Sequence, residues 1–138
     1  MIQIQDELHK KLIDYCISTL PYEACGFITG TVISQTIEAI SMIPSKNHAS
    51  NPRHHFEMSP HDIIPVLVNP KTKVIGIFHS HPTAPPAPSE ADIATLWHTF
   101  PTYWIVSLQN PFKPELQIYQ IKKAPQTSIH KLSFVIGQ

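Results

Sequence analysis

The chain has 138 residues, a length that suits one core and leaves little for a second, so residues 1–138 are expected to form a single domain. Ten Lys and Arg balance ten Asp and Glu, which removes the net field that gathers nucleic acid or an acidic membrane surface. The apolar runs fall short of a membrane span or a signal core, which predicts a cytoplasmic protein, and two cysteines, Cys16 and Cys25, are too few for a disulfide framework or a thiolate zinc site. A bound metal then has to use histidine and carboxylate.

Prolines are scattered as turn punctuation and cluster only in TAPPAPS, with neither a linker nor an internal repeat. Ile4, Leu8, Leu12, Tyr15 and Cys16 recur at helical spacing and predict an amphipathic helix that stops before Leu20-Pro21. CGFITG (25–30) and TIEAISMI (36–43) read as strands joined by turn residues around Gly30. In PSKNHAS, Asn47 is open to two uses: anchoring its own loop, or contacting a substrate main chain. HHFEM (54–58) reads as a third strand that turns Phe56 and Met58 to the core. Its polar set faces water by default, with Arg53 or His55 beside a substrate path as the alternative. Ser59-Pro60 reads as an N-cap followed by proline at the first helical position, opening a helix through Leu67. KVIGIFHSH, TYWIVSL, ELQIYQI and LSFVIG follow as strands. Strands interleaved with about three helices predict an α/β fold with a mixed central sheet covered on its faces.

Within KVIGIFHSH, period-two alternation puts Ile75, Ile77, His79 and His81 on one face and Val74, Gly76, Phe78 and Ser80 on the other. Residues two apart on a strand lie roughly 6 to 7 Å from each other, a gap two imidazoles can close on one ion at about 2.0 to 2.1 Å each. The proline run that follows is stiff. Beyond it, Ile93, Leu96, Trp97 and Phe100 form a stripe at helical spacing, with Ser89 and Asp92 at its start. Ser-x-x-Asp reads most simply as a helix-capping pair, and H-x-H alone as two half-buried polar residues. Their convergence from strand, loop and helix start points instead to a metal held by His79, His81 and Asp92. Three protein ligands leave a fourth position open, the arrangement of a catalytic zinc.

Hydrolysis at such a site needs a carboxylate near the metal and not bound to it. Glu7, Glu23, Glu38, Glu57, Glu90 and Glu115 are candidates, and spacing does not choose among them, although Glu23 stands just before an apolar strand where it could lean over the strand ends. Cys25 beside Gly26 at the start of an apolar run reads as a buried inert thiol, against the alternative of a thiol nucleophile. A nucleobase deaminase needs H-x-E with P-C-x-x-C, and the chain has no C-x-x-C.

Glu23 in P-x-E-A-C-G, followed by H-S-H-P-x(6)-S-x-x-D, resembles the JAMM (MPN+) metallopeptidases, above all the small prokaryotic members that act on ubiquitin-like sulfur-carrier proteins. The resemblance spans the chain and every signature position is present. It implies a cytidine-deaminase-like α/β fold, one Zn2+ per chain on His79, His81 and Asp92, Glu23 as general acid/base and Ser89 as the donor to the oxyanion. It further implies a substrate bond after the C-terminal Gly-Gly of a ubiquitin-like or sulfur-carrier protein, with cysteine as one leaving amine. A non-catalytic MPN-type scaffold is the alternative, and such members usually lack one or more of these five residues.

Overall fold

The computed structural model describes residues 1–95 and 97–137. Its elements in chain order are β1 (Ile2–Ile4), α1 (Asp6–Thr19), β2 (Cys25–Ile33), β3 (Thr36–Ser45), α2 (Pro60–Leu67), β4 (Val74–His81), α3 (Glu90–Ile93), a 3-10 turn (Trp97–Thr99), β5 (Thr102–Ser107), β6 (Glu115–Lys122), β7 (Ser128–Leu132) and β8 (Phe134–Ile136). The strands form one sheet in the order β7-β6-β5-β4-β2-β3-β1-β8. Pairing is mixed, as expected: β4–β5, β1–β3 and β1–β8 run parallel, and the β2, β6 and β7 pairings are antiparallel.

Burial of alternate residues builds a core on each face of the sheet. On the first, Leu8, Leu12 and Cys16 of α1 pack on Ile28, Phe78, Trp104 and Val106. On the second, Cys25, Phe27, Ile77, Tyr103 and Ile105 lie beneath Met58, Ile63 and Val66, with Trp97 and Phe100 at the side. The alternation predicted for β4 holds from Gly76 to His81. It breaks at the start, because Ile28 faces Gly76 while Thr29 faces Val74. Ile75 is the extra residue of this bulge, so it joins the first core and Val74 packs against the second.

Other expectations are corrected. Ile4 belongs to a strand, not to the first helix, and pairs with Ala39 and Ile136; the helix itself ends at Thr19, before Leu20-Pro21. Gly30 is not a turn: β2 runs on to Ile33, and the chain reverses at Ser34-Gln35, with Ser34 at φ 57°. Gly30 marks a register shift where a Cβ would strike the Glu38 carbonyl oxygen. LSFVIG is split at Ser133 between β7 and β8, which lie at opposite ends of the sheet order. One intervening residue spans only about 7 Å between Cα atoms, so the sheet curls until its two ends meet at that corner.

HHFEM is not a strand either. Its main chain is satisfied locally: Glu57 N–H donates to Asn47 Oδ1 (3.1 Å), His48 N–H to the Glu57 carbonyl (2.8 Å) and His55 N–H to the Asn51 carbonyl (3.0 Å). Met58 is buried and Phe56 half-buried, as the alternation suggested. The helix expected over 89–100 stops at Ile93. Thr95 N–H tightens onto the Asp92 carbonyl (3.1 Å) and Thr95 Oγ1 accepts from Trp97 N–H (3.1 Å), a side chain competing for helical bonds. Leu96 of the predicted stripe lies outside the described residues. Among the described residues no helix is long and apolar enough to cross a membrane.

Candidate active site

His79 and His81 occupy the C-terminal end of β4, between β2 (Cys25 opposite His79) and β5 (Ile105 beside His79, Ser107 beside His81). Ser80, on the other face, is fully buried and locks the neighbouring segment: its Oγ accepts from Ala24 N–H (2.8 Å), and its N–H donates to the Ala24 carbonyl (3.0 Å). That lock holds Glu23 beside the imidazoles. Glu23 is tied further through its N–H to the Pro52 carbonyl (2.7 Å) and through its carbonyl to Asn47 Nδ2 (3.1 Å).

The buried group is arranged by polar contacts to both nitrogens of each ring. His79 Nδ1 faces Glu23 Oε1 at 3.3 Å, and His81 Nδ1 faces the Pro85 carbonyl at 2.9 Å. Both partners are acceptors, so each Nδ1 donates to them and the second ring nitrogen, Nε2, is turned towards the cluster. Those two nitrogens point at one carboxylate: His79 Nε2 lies 2.9 Å from Asp92 Oδ1, and His81 Nε2 lies 3.1 Å from Asp92 Oδ2. The His79 approach is off the hydrogen-bond axis, which leaves this buried nitrogen without a partner. One ligand atom from each of the three residues falls within 4.8 Å of the others. Two imidazole nitrogens and a carboxylate converging in a buried pocket could hold a cation, and this donor set suits zinc.

By itself the Asp92 carboxylate favours a proton on the facing imidazole, the position a bound cation would take over. Burial pulls the His79 pKa down, but Asp92 and then Glu23 outweigh it and raise it to about 9. For Asp92, burial works upward, yet the His79 charge and the bonds from His79, His81 and the Ser89 backbone hold the carboxyl well below the usual carboxylate range.

Asp92 is oriented from both sides. Ser89 N–H donates to its Oδ2 (2.9 Å) and Asp92 N–H donates to Ser89 Oγ (3.1 Å), the reciprocal pair of a capping box, while Tyr103 OH donates to Oδ1 (2.9 Å). The capping reading of Ser-x-x-Asp and its presence in the cluster therefore hold together. Burial, and then the Asp92 charge, push the Tyr103 phenol upward, so it stays a donor. The His79 ring is stacked on Phe56 (centroids 4.7 Å, 22°) and tilted against Tyr103 (5.3 Å).

A cavity of about 680 Å³ opens onto the group, lined by Glu23, His81, Ser89, Asp92 and Tyr103, by Pro82–Ala84, and by Arg53–Met58. Among the six candidate bases, Glu23 and Glu57 line it. Glu7 is paired with Lys11 on the surface of α1, and Glu90 and Glu115 are exposed. Cys25 is buried and its thiol, bonded to the Ser45 carbonyl (3.6 Å), is pushed up to about 12 by burial and then by Glu23 and Asp62. It is a poor nucleophile. Of the two uses open to Asn47, its contacts are those of a loop anchor: Nδ2 reaches the carbonyls of Glu23 (3.1 Å), His55 (2.9 Å) and Pro52 (3.4 Å), and Oδ1 accepts from Ala49 and Glu57 N–H (3.0 and 3.1 Å). Sequence reasoning missed Ser80, Tyr103, Phe56 and the Pro85 carbonyl. A buried tyrosine hydroxyl in an apolar strand, which needs a partner, was the one available signal.

A mixed sheet with two histidines and an aspartate converging at a strand end defines a protein of the JAMM/MPN class. The family of prokaryotic homologues of the JAB domain matches residues 5–121, and the chain belongs to that family. Over 94% of its length the chain is 29% identical to the tail tip assembly protein K of Escherichia phage N15. It is 32% identical over 75 residues (52% of this chain) to a desampylase of Haloferax volcanii, and 30% identical over 93 residues (65%) to one of Pyrococcus furiosus. The chain spans 50%, 52% and 62% of the lengths of these relatives. A solution structure of a Desulfitobacterium hafniense protein superposes with a TM-score of 0.84 at 26% identity, covering 99% of this chain and 92% of that one. A JAB1/MPN domain protein of Archaeoglobus fulgidus shares the fold at 16% identity, with a TM-score of 0.59 and 99% coverage of both chains.

Proposed function

We propose that the chain is a zinc-dependent peptidase of the JAMM type, holding one Zn2+ on His79, His81 and Asp92. Its substrate is the bond after the C-terminal Gly-Gly of a ubiquitin-like or sulfur-carrier protein in the cytoplasm, with cysteine among the amines released. One observation carries the reading: ligand atoms of two imidazoles and a carboxylate converge in a buried pocket beside Glu23 and open onto a cavity. The similarity to proteins named desampylases supports the choice of substrate.

A zinc ion held there supplies acidified water and a polarised carbonyl. Glu23 takes a proton from the attacking water and passes it to the nitrogen of the leaving amine as the C–N bond breaks. Ser89 Oγ, which accepts from Asp92 N–H, keeps its own proton to donate where charge develops on the carbonyl oxygen. Phe56 and Tyr103 fix the His79 ring, and Pro85 fixes the His81 tautomer.

Purified protein is expected to bind about one zinc per chain and to release cysteine from a carrier ending in Gly-Gly-Cys, read by mass, with a chelator stopping the reaction. Glu23→Gln should keep the zinc and lose about 10² to 10⁴ in rate; full activity in that variant would reassign the base. A second reading, a non-catalytic assembly component, is favoured by the 94% coverage against the phage tail tip assembly protein. Zinc-loaded protein that cleaves none of several Gly-Gly carriers would move the chain to it.

A further inference from the structure

The two walls of the cavity belong to different parts of the chain. Ser89 and Pro82–Ala84 form one, continuous with β4 and α3. The other is the segment 51–58, docked on Glu23 by the bond from Glu23 N–H to the Pro52 carbonyl (2.7 Å) and by Asn47 Nδ2, which bridges the carbonyls of Glu23 and His55. If Glu23 protonates the departing nitrogen, the leaving amine lies against this second wall.

That wall is polar and carries one arginine. Arg53, His54 and His55 are exposed and face the cavity, with Glu57 as the acidic residue of the segment. Among the described residues Arg53 makes no ion pair. Its guanidinium lies 5.9 Å from the ring centroid of Tyr22, the chain neighbour of Glu23. A guanidinium held over a ring by cation–π attraction keeps its N–H fork available to a planar anion. The wall is also pre-set, since Asn47 Oδ1 holds the Glu57 N–H and Phe56 is stacked on His79.

Resting on the peptidase reading above, we propose that Arg53 determines specificity by binding a carboxylate on the leaving-amine side of the scissile bond. An amino acid leaving through its α-amine carries such a carboxylate on the carbon next to the departing nitrogen. A lysine side chain within a folded protein does not. The chain therefore favours conjugates of a free amino acid, or of a residue that ends a chain, over isopeptide conjugates to internal lysines.

The test uses a carrier ending in Gly-Gly-Ala as the free acid and as the C-terminal carboxamide, titrated by calorimetry into zinc-loaded Glu23→Gln protein, in which turnover is suppressed. The acid should bind about tenfold more tightly, the scale of one charge-assisted contact. Adding Arg53→Gln should bring the ratio to near one, and Arg53→Lys should restore part of it. Equal binding of acid and amide with Arg53 present, no measurable binding of either, or a ratio unchanged by Arg53→Gln would overturn the assignment. Hydrolysis by the otherwise unaltered protein separates the two readings. Equal rates on both forms would leave the peptidase standing and the Arg53 subsite fallen, while an Arg53-dependent binding preference with no hydrolysis of either form would do the reverse.

Discussion

The two sides of β4 differ in what covers them. On one side Phe78 meets Tyr15 of α1 (ring centroids 6.1 Å) among Ile28, Trp104 and Val106, under a helix of 14 residues. On the other, Ile77 continues the apolar pattern but His79 and His81 replace it at the strand end. There the cover is the eight-residue α2, an irregular segment pinned by Asn47 and a helix of four residues. A long regular helix fills the space above a sheet with its own side chains. A short helix and a locally satisfied loop cover the end of the strand while leaving a cavity, and they bring polar groups from three chain segments to one point. Closeness to the core makes the groups rigid, and the interrupted cover makes them reachable.

The largest effect expected to sharpen this contrast is on metal retention. His79→Ala or Asp92→Ala should reduce bound zinc from about one per chain to near zero while leaving the folded content of the sheet intact by circular dichroism; zinc retained in both variants would end the assignment. Phe78→Ala, one residue away on the opposite side, should do the converse, costing about 3 to 5 kcal/mol in urea denaturation with zinc stoichiometry unchanged in the folded fraction. Tyr103→Phe removes a donor to Asp92 without opening a void, and should weaken zinc affinity by about 10- to 100-fold, measured by competition with a chromogenic chelator. The smallest effect is a pH dependence on the α1 side. Burial, and then Cys25, push the Cys16 thiol up to about 12 from its ordinary 9.0. The unfolded thiol ionises first, so this contribution is complete below pH 9 and fades from there towards pH 12, at about 1.4 kcal/mol per pH unit. Cys16→Ala should flatten that slope; an equal slope in both proteins would place its origin elsewhere.

Much of the scaffold is legible in the chain because its signals are local. The spacing of Leu8, Leu12 and Cys16 marks α1, the alternation through Ile77, His79 and His81 marks the side of β4 on which both imidazoles fall, and Pro60 after Ser59 marks the start of α2. The cap role of Ser89 and Asp92 is equally local. Failures occur where a partner distant in sequence decides. HHFEM has strand-like alternation, but Asn47 takes its backbone bonds before a neighbouring strand can. LSFVIG has one apolar pattern, yet the curl of the sheet hands its halves to β6 and β1. The bulge at Ile75 turns on how β2 aligns with β4.

The amino-acid order by itself determined which residue types stand at the strand end and the helix start, and hence that nitrogen and carboxylate ligands, not thiolates, are on offer. Periodicity is a property of neighbouring residues, so it survives in one dimension. Only the tertiary structure decided that each imidazole turns its Nε2 to Asp92, because that depends on acceptors supplied by Glu23 and Pro85 and on donors supplied by Tyr103 and Ser89. Hydrogen-bond direction is set by partners that folding brings together, and it is this direction that converts two histidines and an aspartate into a pocket for a cation.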